Sequence, residues 1–500
     1  MIPAQGDAVS AVTGVRLTGA DRVDPFGDDP VDVHLRDGVI TDIAPAGALP
    51  TRGVVVDGEG GWLVPGLWDH HVHTVQWALT AQRTPLGDVT SAGEAASVMG
   101  RAPVLDDGRR VGTGFRDAFW ADAPSLALLD ARTGDVPTYL INADVHSVWL
   151  NSAAFRRESF TPAPDGILRE EPAFEISRRL NDLDTAVVDR YVVAALDRAA
   201  SRGVTGIVDL DMAWNADAWA RRLAAGFDGM RVSFGVYPDL LDRAIAEGLA
   251  TGDALDPRGL VRVGSLKVIT DGSLGTRTAA CSHPYPGDPH NTGVMTVAPD
   301  ELRALMVRAT GSGLSCAIHA IGDVANSHAL DAFAASGATG TIEHAQLVAH
   351  ADIPRFARLG VGASVQPEHA VDDRDLTDSV WAAQTALPYP LRSLADTGAN
   401  LLFGSDAPVS PLDPWAAMAA AVHRTRGGRE PWRPDQGVTA ATALAASTSG
   451  GSATGSGLEP GGVADLVVID RDPLTASDEA LRATRVAATI LGGRLTHIAL

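Results

Sequence analysis

The chain has 500 residues, of which 45 % are hydrophobic and 20 % charged, and its net charge is −22. These values describe a globular protein with room for a sizeable core, either as two or three domains or as one large α/β barrel with an attachment. The acidity argues against nucleic acid and membrane surfaces as partners, and two cysteines are too few for a disulfide framework.

The opening MIPAQGDAVSAV lacks a basic stretch followed by an apolar one, so the expected location is the cytoplasm. Residues 1–64 read as short strands and turns: 12–17 is apolar, and 31–36 alternates before the Asp37-Gly38 turn and a second strand. The far end behaves alike, with a buried-type strand at 464–470 and a hairpin around Gly492-Gly493. Residues 1–64 and 446–500 are therefore expected to form one composite β-sandwich. Residues 65–445 alternate strands with helices. Candidate strands are 67–73, 204–210, 231–236, 261–269, 314–319, 340–344, 361–366 and 400–405. Eight such strands suit a closed (β/α)8 TIM barrel. The gap after the first is far too long for one βα unit, so an insertion at about 80–200 is expected there, leaving from the strands' C-terminal face.

Several of these strands end in metal-binding residue types. In Pro65-Gly-Leu-Trp-Asp-His-His-Val-His, period-two geometry puts Asp69, His71 and His73 on one face and His70 on the other. His319 ends the fifth strand, His344 the sixth, and Asp406 follows the eighth. Four imidazoles and a carboxylate on one rim suit zinc or a related divalent ion. Among 40 basic residues one is lysine, Lys267, near the end of the fourth strand. Arginine stays charged, whereas a buried lysine amine can be neutral and can add carbon dioxide to become a carbamate.

The set His71-x-His73, Lys267, His319, His344 and Asp406, in this order, resembles the amidohydrolase superfamily. Lys267-Val-Ile-Thr-Asp-Gly-Ser-Leu-Gly, His319-Ala-Ile-Gly-Asp, Glu343-His-Ala-Gln and Gly404-Ser-Asp-Ala-Pro-Val are similar to its amidohydrolase-3 branch, which includes YtcJ-like proteins and N-substituted formamide deformylases. The resemblance implies a metal-dependent hydrolase of carbon–nitrogen bonds other than peptide bonds, with one or two divalent ions, zinc first. It implies that His71, His73 and Asp406 hold the more buried ion, His319 and His344 the more exposed one, and that carboxylated Lys267 bridges them. Asp406 is then the general base toward a metal-activated water. In the insertion, Asn142-Ala-Asp-Val-His146 resembles a second signature of the branch, with Val145 where that signature has glycine, and makes His146 a further catalytic candidate. Glu170, Asp271, Arg277 and Trp77 are expected near the substrate. Ten tryptophans, among them Trp77, Trp120, Trp149 and Trp381 in rim segments, suggest an aromatic-walled pocket. The expected partner is a small amide-type molecule, an N-acyl or N-formyl amine with an apolar or aryl substituent, and the chain itself as a homodimer. A cyclic amidase, a deaminase, an isomerase or decarboxylase on the same barrel, and a catalytically silent relative are the alternatives.

Overall fold

The computed structural model describes residues 3–18, 29–117, 120–142, 147–453 and 458–499. Its central sheet has eight parallel strands: β1 (Leu67–Val72), β2 (Val204–Asp209), β3 (Arg231–Val236), β4 (Val261–Ile269), β5 (Cys316–Ala320), β6 (Gly340–His344), β7 (Gly362–Val365) and β8 (Leu401–Phe403). Each strand pairs with its neighbours in sequence. The sheet's two ends also meet. Asp406 N–H donates to His71 O at 2.8 Å, and His73 N–H donates to Ala407 O at 2.9 Å. The sheet is thereby a (β/α)8 barrel, joined at the C-terminal rim where β1 and β8 both end. Its strands are buried along most of their length, which is why they read as apolar runs rather than alternating ones. Helix Asp323–Ser336 shows the complementary pattern: Ala325, Ala329, Leu330 and Phe333, at helical spacing, are buried.

A second sheet combines the two ends of the chain. Leu466–Ile469 lies antiparallel between Trp62–Pro65 and Val486–Leu491, and Arg494–Ile498 completes the hairpin. The nine-residue strand Val9–Leu17 joins this half to Val31–Arg36 and Val39–Pro45, pairing with Trp62–Pro65 through Arg16 and Leu17. Val12, Val33 and Ile40 from one end and Leu466, Val468 and Ile490 from the other share a single hydrophobic core. Arg231 of β3 grips Asp465 with two hydrogen bonds, 2.6 and 3.0 Å, a bidentate tie between this sheet and the barrel.

Val75–Ala195 forms a separate compact unit. Its sheet runs Ile167–Arg169, Ser147–Leu150, Thr138–Asn142, Arg110–Phe115, Thr84–Pro85, antiparallel in the first two joints and parallel in the last two. Alternation sorts its side chains onto two faces. Leu140, Trp149 and Ile167 pack with Ala92, Ala95 and Leu129, whereas Tyr139, Ile141, Val148 and Leu150 pack with Phe155 and Ile176. Helices therefore cover both faces. Among the described residues, no helix is long and apolar enough to cross a membrane.

Candidate metal centre

The strand ends of the barrel deliver the polar residues in register. Ile269 of β4 pairs with His319 of β5, which pairs with Glu343 of β6, while Ala320 pairs with His344. Lys267 sits two residues below the level of His319, inside the barrel. On β1 the alternation behaves as the sequence requires: His70 turns away and its Nδ1 donates to Phe403 O at 3.0 Å, while His71 turns inward. Asp69 does not join the centre. It accepts the backbone N–H groups of His71 and Ser405 at 3.1 and 2.9 Å, tying β1 to the segment after β8, and burial pushes its carboxyl up to about 7.

Ligand atoms of His71, His344 and Asp406 lie within 4.8 Å of one another, all three residues buried or nearly so. His73 reaches the same carboxylate, its Nε2 standing 3.2 Å from Asp406 Oδ1. His319 stacks edge-on against His344 with ring centroids 4.6 Å apart, but its Nε2 points to Asp271 Oδ1 and Gly272 O, each at 3.4 Å. The tightest group thus takes His71 and Asp406 from one implied ligand set and His344 from the other.

Second partners fix these rings. His71 Nδ1 donates to Glu343 Oε2 at 2.7 Å, and His344 Nδ1 donates to Gln366 Oε1 at 2.7 Å. In both rings that leaves Nε2 as the free lone pair, the form in which imidazole binds a metal. Burial, reinforced by the charge of Lys267, lowers His71 to about 4; burial and the neighbouring His319 and His71 hold His344 well below its usual value. Burial alone would raise Asp406, but His71 and His73 outweigh it and keep the carboxylate ionised. Glu343 goes the same way, to about 2, because its hydrogen bond from His71 and the charge of Lys267 overcome burial. Glu343 and Gln366 carried no assigned role in the sequence. Their signal was adjacency to a ligand and to a strand end.

Lys267 is buried and its Nζ has no hydrogen-bond partner among the described residues. Burial lowers its pKa against the pull of Glu343 and Asp406. An orphaned buried amine beside neutral imidazoles and a carboxylate fits a divalent ion, because that ion supplies the missing partner. The backbone is also unusual here. His344, Ala345 and Asp406 adopt left-handed conformations, with φ of 74°, 41° and 57°. Such strain collects where a site dictates side-chain direction.

The other expected residues part ways. Asp271 accepts from Ala280, Ile321 and Gly322 N–H at 2.9, 3.0 and 2.8 Å, and the same carboxylate lies 3.4 Å from His319 Nε2. It organises the loops after β4 and β5 from a position against the candidate ligand His319. Arg277 is exposed on the loop after β4, with φ of 56°. Glu170, also left-handed, is exposed and precedes helix Glu171–Asn181 in the second unit. Trp77 is half-buried in helix Thr74–Thr80. His146 lies outside the described residues. The aromatic wall does not assemble from the other tryptophans: Trp149 is in the second unit's core with Trp120 packed on it, and Trp381 joins Tyr285, Tyr389 and Trp432 in a separate cluster. Large rings gain most from burial, and packing claimed these three.

A family model described as "Amidohydrolase family" matches residues 54–497. Protein LONG AFTER FAR-RED 3 from Arabidopsis thaliana is 28 % identical, covering 97 % of this chain and 90 % of its own length. The N-substituted formamide deformylase of Arthrobacter pascens is 26 % identical, with 90 % and 91 % covered. Among solved structures, an uncharacterized metal-dependent hydrolase from Pyrococcus horikoshii OT3 superposes with a TM-score of 0.79 at 26 % identity, covering 95 % of this chain and 99 % of that one. With its barrel, its cluster of His71, His344 and Asp406, and a match over most of its length, the chain belongs to the amidohydrolase family, and it is a metal-dependent hydrolase of carbon–nitrogen bonds other than peptide bonds.

Proposed function

We propose that this enzyme hydrolyses an N-formyl or small N-acyl amine whose nitrogen carries an apolar or aryl substituent. The observation that carries the chemistry is the grouping of His71, His344 and Asp406, with the buried amine of Lys267 within electrostatic reach of all three. The formyl preference is supported by the deformylase among its relatives. Support for an apolar substituent comes from Met212 and Val409, which are 60 % and 68 % exposed on the loops after β2 and β8. Apolar side chains left open on the loops at the barrel's C-terminal rim gain from a ligand that covers them.

His71, His73, His344 and Asp406, with His319 and the carbamate of Lys267, would hold one or two zinc ions. Bound there, such an ion lowers the pKa of water toward ~7 and polarises the scissile carbonyl. Burial favours the neutral form of the Lys267 amine; adding carbon dioxide to it releases a proton and leaves a carboxylate in place of the amine. Asp406 is ionised and stands 3.2 Å from His73, placed to take a proton from water and return it to the departing nitrogen. Glu343 and Gln366 keep their two imidazoles in one tautomer throughout. A panel of N-formyl, N-acetyl and cyclic amides, run with Asp406→Asn alongside, tests this reading. The formyl amides should be turned over fastest, with a loss of ~10³-fold or more in the variant. Equal turnover by the variant would refute the role of Asp406, and a preference for cyclic amides would refute the substrate class.

A further inference from the structure

Strand β7 contributes nothing to the cluster of His71, His344 and Asp406, yet the chain that follows it returns to that cluster. Gln366 holds His344, and three residues later His369 lies in helix Pro367–Asp372 with 9 % of its surface exposed. Its ring is parallel to that of His344 within 12°, centroids 6.4 Å apart. Its Nε2 is buried and has no hydrogen-bond partner among the described residues. Both Asp406 and Asp373 lie within electrostatic reach of the ring. Asp373 is in turn fixed by the hydroxyl of Tyr389, which donates to it at 3.2 Å.

Packing alone accounts for the stacked ring but not for the lone nitrogen. A buried polar atom without a partner is a cost that the rest of the fold must absorb. The space next to it is also shaped. His344, Gln346, Gln366, His369 and Tyr389 border a cavity of about 10 Å³, room for about one water-sized group. A single oxygen atom fits that description, and His344 both lines the cavity and belongs to the cluster with His71 and Asp406.

We propose that His369 is a catalytic residue that donates a hydrogen bond from Nε2 to the carbonyl oxygen of the scissile bond. This rests on reading the centre as an amide hydrolase. The oxygen becomes negative as water adds to the carbonyl carbon, so a donor already in place strengthens its bond as the reaction proceeds and needs no reorganisation. No proton leaves the imidazole. Tyr389 and Asp373 position the helix segment, and the stack on His344 fixes the plane of the ring.

The test uses the zinc-loaded full chain, with His369→Phe to keep the stack and remove the donor, and His369→Gln to restore a donor. Formanilide turnover, calorimetric binding of acetohydroxamate, zinc content and melting midpoint are measured for each. In His369→Phe, zinc content and midpoint should hold while kcat falls ~10²–10³-fold with a smaller change in KM. Acetohydroxamate should bind about tenfold more weakly, and His369→Gln should recover part of both losses. A His369→Phe protein within about threefold of wild type on both readouts would overturn the proposal, as would loss of its zinc or a Gln variant no better than Phe. Should wild type bind acetohydroxamate but hydrolyse no amide, weaker binding by the Phe variant would still support the contact while removing the amide reading.

Discussion

Lysine and arginine carry the same charge, but at position 267 charge is the property the site cannot use. The side chain is buried, its amine has no hydrogen-bond partner among the described residues, and burial drives it toward the neutral form. A guanidinium there would remain a cation beside His71 and His344, repelling any metal ion and leaving five donors to satisfy. Lys267→Arg should therefore purify without metal and without activity, and a fully active variant would contradict the carbamate. Lys267→Ala should lose metal as well, because the arm is gone. Its space admits a small carboxylate, so formate or acetate at high concentration should restore some of both; metal analysis with and without the anion reads this directly.

The elements succeed or fail by how closely two strands can approach. Gly404 lies where the chain after β8 passes β1, and a Cβ there would come within 2.7 Å of His71 N and 2.9 Å of His71 Cβ. Both are buried strand atoms with nowhere to go. Gly404→Ala should push the two strand ends apart, costing about 1–3 kcal/mol of stability and lowering metal content, which titration of the apo-protein with zinc would measure. This closure was only half legible. The eight strands stand out as apolar runs, and the ligands stand out because His319, His344 and Asp406 each fall at a strand's end. The residues that orient them do not: Glu343 and Gln366 are ordinary polar residues until a fold sets them against an imidazole. The tryptophans misled for the opposite reason. Trp149 and Trp381 look like a pocket wall by their positions, but a count of large rings cannot distinguish a wall from a core. Nor does any sequence pattern tell which face of the insertion's sheet Trp149 enters until its partner strands are known.

At the scale of the whole molecule, two units hold separate cores. Separate cores need not melt together. Calorimetry should resolve two transitions, one of which moves when metal is chelated, by about 2.7 kcal/mol if the ion was present at ~100 times its Kd. The other should move in Trp149→Ala, by about 3–5 kcal/mol. A single transition displaced equally by both treatments would contradict independent cores. The composite sheet makes a related demand on synthesis: Trp62–Pro65 can pair early with Val9–Leu17, but its second neighbour, Leu466–Ile469, is made only near the end of the chain.

The left-handed backbone at His344 and Ala345 also bears on how such a chain would age. For a non-glycine residue that conformation costs roughly 1–2 kcal/mol, held in place by the surrounding barrel. Ala345→Gly should recover up to about 1 kcal/mol in a denaturant titration while leaving the ligands untouched. Stability and catalysis therefore pull opposite ways on the same short segment. In a lineage released from its substrate, relaxation would begin there, with glycine or asparagine entering at 344, 345 and 406 long before the core of the barrel changed. A decaying descendant would keep its shape and first lose the tension that aims its ligands.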